Sequence, residues 1–123
     1  MVRLTNPFRV DTMSVDGLLA VSVAGELDQG TAPELRGALA EALGGGTHGV
    51  LVDLSQCGFI DSTGLSLLVE AKRRLADEER PFAVCCPDTE VRRLLELTGI
   101  DRAIGLFDSR EEAVAAMGNG TPG

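Results

Sequence analysis

The sequence has no tryptophan, no tyrosine and one histidine, so four phenylalanines are its only large aromatic rings. Its core must therefore be aliphatic, and Leu, Val, Ile and Ala dominate the candidate core positions. No apolar stretch approaches the roughly 20 residues that span a bilayer. The N-terminal run Met1-Val2-Arg3-Leu4-Thr5-Asn6-Pro7 lacks the apolar segment of a secretion signal. Cysteine is sparse and odd in number, with Cys57 alone and Cys85 adjacent to Cys86. That is a poor disulfide framework, and reduced thiols in a cytoplasmic protein explain it better. Basic charge is also short: 11 Lys and Arg stand against 19 Asp and Glu, a net of −8. A phosphate backbone and an anionic bilayer both repel such a surface, so neither nucleic acid nor membrane is an expected partner. A protein partner with a basic face is compatible with the charge, and so is simple solubility.

Reactive groups are equally scarce. Catalysis needs several of them to converge. His48 stands just before a candidate strand, and nothing in the sequence couples it to Ser62, which lacks the G-x-S-x-G context of a hydrolase nucleophile. The three cysteines show no C-x-x-C spacing, and Cys85 and Cys86 point to opposite faces if they lie in a strand, which argues against zinc. Gly44-Gly45-Gly46 is followed by no Lys-Ser or Lys-Thr pair, so it reads as a helix-to-strand connection and not as a phosphate loop. No enzyme, metal or cofactor is expected.

What is present is an alternation of strand and helix signals on a chain of 123 residues, the length of one domain. Residues 8–15 suit a first strand, Asp16-Gly17 a hairpin turn, and residues 18–23 a second strand ending near Gly25 and paired antiparallel. Thr31-Ala32-Pro33-Glu34 predicts a capping box for a helix carrying Leu35, Ala38, Leu39 and Ala42, stopped by the glycine cluster. Val50-Leu51-Val52 predicts a short buried parallel strand. The next helix is expected to start at Asp61, with Ile60 and Leu65 as a hydrophobic staple, to bury Leu65, Leu68, Ala71 and Leu75, and to end in solvated Arg73, Arg74 and Arg80. Residues 81–86 predict another strand. Asp88 or Thr89 would cap a third helix with Val91, Leu94 and Leu95 inward and Gly99 at its end. A last strand over 103–107 and a helix opened by the capping box Ser109-Arg110-Glu111-Glu112 complete the order ββαβαβαβα. The fold class is α/β: a mixed, mostly parallel sheet of about five strands with helices packed against it.

One turn concentrates the functional signal. Asp61, Ser62 and Thr63 can all bond the free amides of a helix start. Gly64 inside a first helical turn costs about 0.5–1 kcal/mol against alanine, so it implies either tight packing beneath the turn or a backbone that something approaches closely.

The segment Val52-Asp53-Leu54-Ser55 … Phe59-Ile60-Asp61-Ser62-Thr63-Gly64-Leu65 resembles the signature of STAS domains, in particular the bacterial anti-sigma factor antagonists. Gly25-Glu26-Leu27-Asp28 resembles the family's upstream motif, and Val91-Arg92-Arg93-Leu94-Leu95 … Thr98-Gly99 its third-helix segment. The resemblance implies a STAS domain over residues 8–117 after an N-terminal extension over 1–7, and the composition of the tail over 118–123 predicts disorder. It also implies a partner switch. The unphosphorylated protein would bind an anti-sigma factor that is also a serine kinase, freeing a sigma factor for transcription. Phosphorylation of Ser62 would end that binding, and a serine phosphatase would restore it. ATP and Mg²⁺ would belong to the kinase. Thr63 is the rival phosphosite. Asp28, Asp61, Ser62, Thr63 and Gly64 are the expected partner-binding residues, with Leu65 as a further contact and Asp53, at the end of its short strand, as an acid that orients the nearby loop. The alternative is a stand-alone STAS subunit of a membrane transporter or of a signalling scaffold. Sheet edges and the first helix are candidate surfaces for a weak homodimer.

Overall fold

A computed structural model of the chain describes residues 7–87 and 89–117. Strand β1 (Arg9–Val15) and strand β2 (Leu18–Leu27) form the expected antiparallel hairpin, with Val15 opposite Leu18 and Arg9 opposite Ala24. Asp16 and Gly17 both take positive φ, +50° and +83°, the turn whose twist matches that of paired strands. Helix α1 (Ala32–Gly44), strand β3 (Gly49–Ile60), helix α2 (Ser62–Asp77), strand β4 (Phe82–Cys85), helix α3 (Glu90–Leu97), the single turn α4 (Ile100–Ala103), strand β5 (Gly105–Phe107) and helix α5 (Arg110–Met117) follow. The α4 turn has no counterpart in the sequence reading. It starts at Gly99, whose φ of +79° ends one helix and begins the next.

The five strands lie side by side in sequence order, β1-β2-β3-β4-β5, and every pair after the hairpin is parallel. Helices α1, α2 and α3 bury Leu35, Leu39, Leu68, Leu75, Val91 and Leu95 against one face of the sheet. Helix α5 returns across the other face and closes a smaller cluster of Leu18, Leu51, Ala83, Cys85, Ala113 and Met117. Cys85 and Cys86 belong to different clusters, as alternation along a strand requires.

Strand β3 is four times the length that its apolar centre suggested. Its pairing with β2 slips once between Ser22 and Ala24 and again between Gly25 and Glu26, each time leaving an extra residue on β3. The inward residues are Val50, Val52, Leu54, Cys57 and Ile60, so the spacing changes from two to three as the bulges intervene. A period-two pattern cannot reveal such a strand. Strand β2 is likewise longer than expected and runs past Gly25. Gly25 has φ +93°, and a Cβ there would lie 3.0 Å from the Phe8 Cα.

Three local expectations are corrected. Thr31 occupies the first cap, but its side chain does not cap: Oγ1 donates to the Glu26 carbonyl at 2.7 Å and accepts from the Asp28 amide at 2.9 Å. The β2–α1 connection thus takes the hydroxyl that the capping box would have used. Leu65 is half-buried, and Leu67 takes the deep position assigned to it. Arg80 is no solvated helix end. Glu79 at φ +56° reverses the chain after α2, and the Arg80 amide bonds back to the Leu75 carbonyl at 2.8 Å. The guanidinium is thereby aimed at the C-terminus of α1, where it donates to the carbonyls of Leu43 and Thr47, both at 3.0 Å. In α3, Thr89 is the cap and Leu94 is half-buried; Asp88, like the tail over 118–123, lies outside the described residues.

Candidate functional site

The site forms where β2 and β3 end side by side. Leu27 and Ile60 are register partners, so the loops that follow them leave the sheet together. Asp61 has an extended backbone and caps α2: its Oδ1 accepts from the Gly64 amide at 3.0 Å. Its Oδ2 accepts from the Gln29 amide at 3.1 Å, and its own amide donates to the Leu27 carbonyl at 3.1 Å. One residue therefore fixes both loops. Gln29 contributes only a backbone amide, so no side-chain signal could have pointed to it.

Asp28 organises the other loop. Its Oδ1 accepts from the amides of Gly30 and Thr31 at 2.9 and 3.1 Å, and its carbonyl accepts from the amides of Thr31 and Ala32. This makes Asp28, not Thr31, the group that ties down the start of α1. Asp28 and Asp61 are both half-buried, and they follow the register partners Leu27 and Ile60 at the same end of the sheet.

Ser62 is the first helical residue of α2 and is exposed. Its hydroxyl has no hydrogen-bond partner among the described residues. Among the described residues the amides of Ser62 and Thr63 have no acceptor, because Asp61 serves Gly64 and the Leu65 amide already bonds the Asp61 carbonyl. Thr63 is half-buried. Gly64 is buried: a Cβ there would lie 2.8 Å from Ile60 Cγ1 and 2.9 Å from Leu27 Cγ, so its first role is packing under the turn. From Ser62 a shallow depression of about 560 Å³ runs down α2 past Leu65, Ser66 and Val69 to Arg73, bordered by Ile100. Phe59, 48% exposed just before the turn, adds an apolar group that the sequence reading did not single out.

Two residues are placed elsewhere. Asp53 does not end a strand. It lies within β3 on the α5 face, 9% exposed, where Oδ1 accepts from Ser55 and Oδ2 from Arg110 Nε at 3.1 Å. Arg110 also donates to Ser22 Oγ at 2.6 Å, so this group clamps α5 to the sheet. Burial works to raise the Asp53 pKa, but the Ser55 and Arg110 bonds more than offset it and hold the carboxyl below its ordinary value. His48 sits at the opposite end of β3, where its amide bonds the Gly17 carbonyl. At about 3.3 Å per residue along β3, the imidazole and Ser62 are tens of ångströms apart, so they form no catalytic couple. Among the described residues no group of three or more His, Cys, Asp or Glu is placed to hold a metal ion, and no helix is long and apolar enough to cross a membrane.

The STAS domain family model matches residues 9–113. The chain is 34% identical over 91 residues to the anti-sigma-B factor antagonist of Staphylococcus epidermidis, across 74% of this chain and 84% of that protein. It is 33% identical to the anti-sigma-B factor antagonist of Staphylococcus aureus over the same shares. The crystal structure of an anti-sigma factor antagonist from Mycobacterium paratuberculosis superposes with a TM-score of 0.85 at 31% identity, covering 90% of this chain and 94% of that one.

Proposed function

Because the chain belongs to the STAS domain family, we propose that it is an anti-sigma factor antagonist whose partner binding is switched off by phosphorylation of Ser62. In this reading the domain spans residues 8–117. The unphosphorylated protein docks on an anti-sigma factor with serine kinase activity and so releases a sigma factor; a serine phosphatase reverses the modification. Asp28, Asp61, Ser62 and Thr63 form the docking face, with Gly64 beneath it. The observation that carries the reading is the uncommitted Ser62 hydroxyl, exposed on the first turn of α2. Thr63, more enclosed, is the weaker acceptor.

The chemistry of that position supports a local switch. A phosphate on Ser62 adds about −1.5 to −2 charges at neutral pH. The free amides of Ser62 and Thr63 and the positive end of the α2 dipole accommodate that charge without disturbing the Asp61 cap. Toward a partner the same phosphate stands beside Asp28 and Asp61. It brings bulk, repulsion and a desolvation cost to a face that is already acidic. The fold stays and docking is lost.

The test is binding of the purified chain to anti-sigma factors encoded in the same genome, with wild type beside Ser62→Ala and Ser62→Asp, followed by ATP addition and phosphosite mapping. Binding kept by Ser62→Ala and lost by Ser62→Asp, with label on Ser62, is the expected result. Label on Thr63 moves the switch by one residue. No binding and no label on either residue sinks the reading and leaves the fold intact.

A further inference from the structure

Strict alternation along β3 would bury Phe59. Cys57 packs into the larger core, and the residue two further along an unbroken strand shares its face. Instead Phe59 is 48% exposed and Ile60 only 1%. The cause is the second bulge: Gly25 pairs with Cys57, the next residue Glu26 pairs with Phe59, and Gly58 is left over. The bulge brings Ile60 inward beneath Gly64 and turns Phe59 out. Nothing in that exchange requires an aromatic ring at the outward position, where a polar side chain would leave less apolar area in water. Isolated exposed apolar side chains are ordinary on proteins. The placement of this one is not, because it lies three residues before Ser62 on the sheet end that carries Glu26, Asp28 and Asp61. Among the described residues none of those three carboxylates is ion-paired.

We propose that Phe59 is the apolar anchor of the docking face, and that it enters a pocket of the anti-sigma factor with an apolar floor and a basic rim. The proposal rests on the antagonist reading given above and names the chemistry its partner must present. Charge complementarity selects the occupant. A second copy of this chain would bring the same three unpaired carboxylates to the contact, and an anionic lipid surface would meet them with like charge. A basic protein surface pairs them while it covers the ring, the arrangement of a buried aromatic inside a polar surround.

The test titrates the full-length wild type, Phe59→Ala, Phe59→Leu and Met13→Ala onto the anti-sigma factors of the same genome. Met13, 53% exposed on β1, is the control for an apolar group away from the site. Phe59→Ala is expected to weaken binding by about tenfold or more with an unchanged urea midpoint, Phe59→Leu to keep most of the affinity, and Met13→Ala to match wild type. Hydrogen exchange on wild type supplies a readout free of mutation: amides of residues 57–60 should slow when the partner is bound. Wild-type binding that Phe59→Ala leaves unchanged, or equal losses in Phe59→Ala and Met13→Ala, overturns this proposal alone. No binding of wild type to any anti-sigma factor overturns it together with the antagonist reading. A wild-type dimer that Phe59→Ala converts to monomer gives the surface to a second copy and overturns it as well.

Discussion

The carboxylate of Asp61 accepts a hydrogen bond from the amide of Gln29 at 3.1 Å, across 32 residues of chain. Its other oxygen caps α2 through the Gly64 amide. The loop after β2 and the helix after β3 are thus held by one side chain.

Removing that side chain should loosen both loops. Asp61→Ala is expected to lower stability by about 1–2 kcal/mol, the range of a lost helix cap. Asp61→Asn keeps one acceptor oxygen in place of two and should fall between. Urea unfolding gives the stability, and hydrogen exchange at the Gln29 amide gives the tie: faster exchange in Asp61→Ala than in wild type is expected, and equal rates would show that the bond does not hold the loop.

Gly64→Ala sets helix propensity against packing. Alanine gains about 0.5–1 kcal/mol in an exposed helix interior. Here its methyl meets Ile60 Cγ1 at 2.8 Å and Leu27 Cγ at 2.9 Å, inner carbons of fully enclosed side chains with little room to shift. Overpacking of this kind costs about 1–3 kcal/mol, so a net loss is expected. A urea midpoint at or above that of wild type would refute the packing account of this glycine.

Acid should find the Asp53–Arg110 clamp. The Asp53 pKa is held below its ordinary value in the folded protein, so the group adds stability above the unfolded carboxyl pKa and loses it as pH falls through the folded one. Arg110→Ala removes a cation from an acid whose side chain is only 12% exposed. It is expected to cost about 1–3 kcal/mol near neutral pH. It should also narrow the gap in stability between about pH 7 and about pH 3. An unchanged gap, read from urea midpoints at the two pH values, would remove Asp53 from the acid response.

The thiols should be silent in the native state. Cys57, Cys85 and Cys86 are at most 5% exposed. Burial, reinforced by the Asp53 charge, pushes the Cys85 thiol up to about 12, and burial raises the other two. None should react with a thiol reagent at mildly alkaline pH until the chain is unfolded. A raised thiol pKa contributes stability below the unfolded value and loses it as pH climbs toward the folded one. The thermal midpoint should therefore fall above about pH 9 and fall less in Cys85→Ala. Rapid labelling of the folded protein would contradict the burial of these groups.

The turn that opens α2 was legible because its chemistry is local. A cap and an out-of-place glycine both act within one helical turn, so the turn from Asp61 to Gly64 could be read from neighbours in sequence. Local signals also marked the Asp16-Gly17 hairpin and the Ser109 cap, which accepts from the Glu112 amide at 3.2 Å. They misled at Thr31, where a strand carbonyl five residues upstream outcompetes the capping box.

The sequence by itself determined the alternation of elements, the aliphatic core, the acidic surface and the motif-bearing turn, because each depends on residue type and short spacing. Only the tertiary structure decided how far β3 runs, which side Phe59 and Ile60 take, that Asp53 belongs to the α5 clamp, and that Arg80 ends α1. Bulges shift the side-chain period where two strands disagree in length, and an arginine reaches whichever carbonyls the chain reversal presents. Both are settled by groups distant in sequence, and no window along the chain contains them.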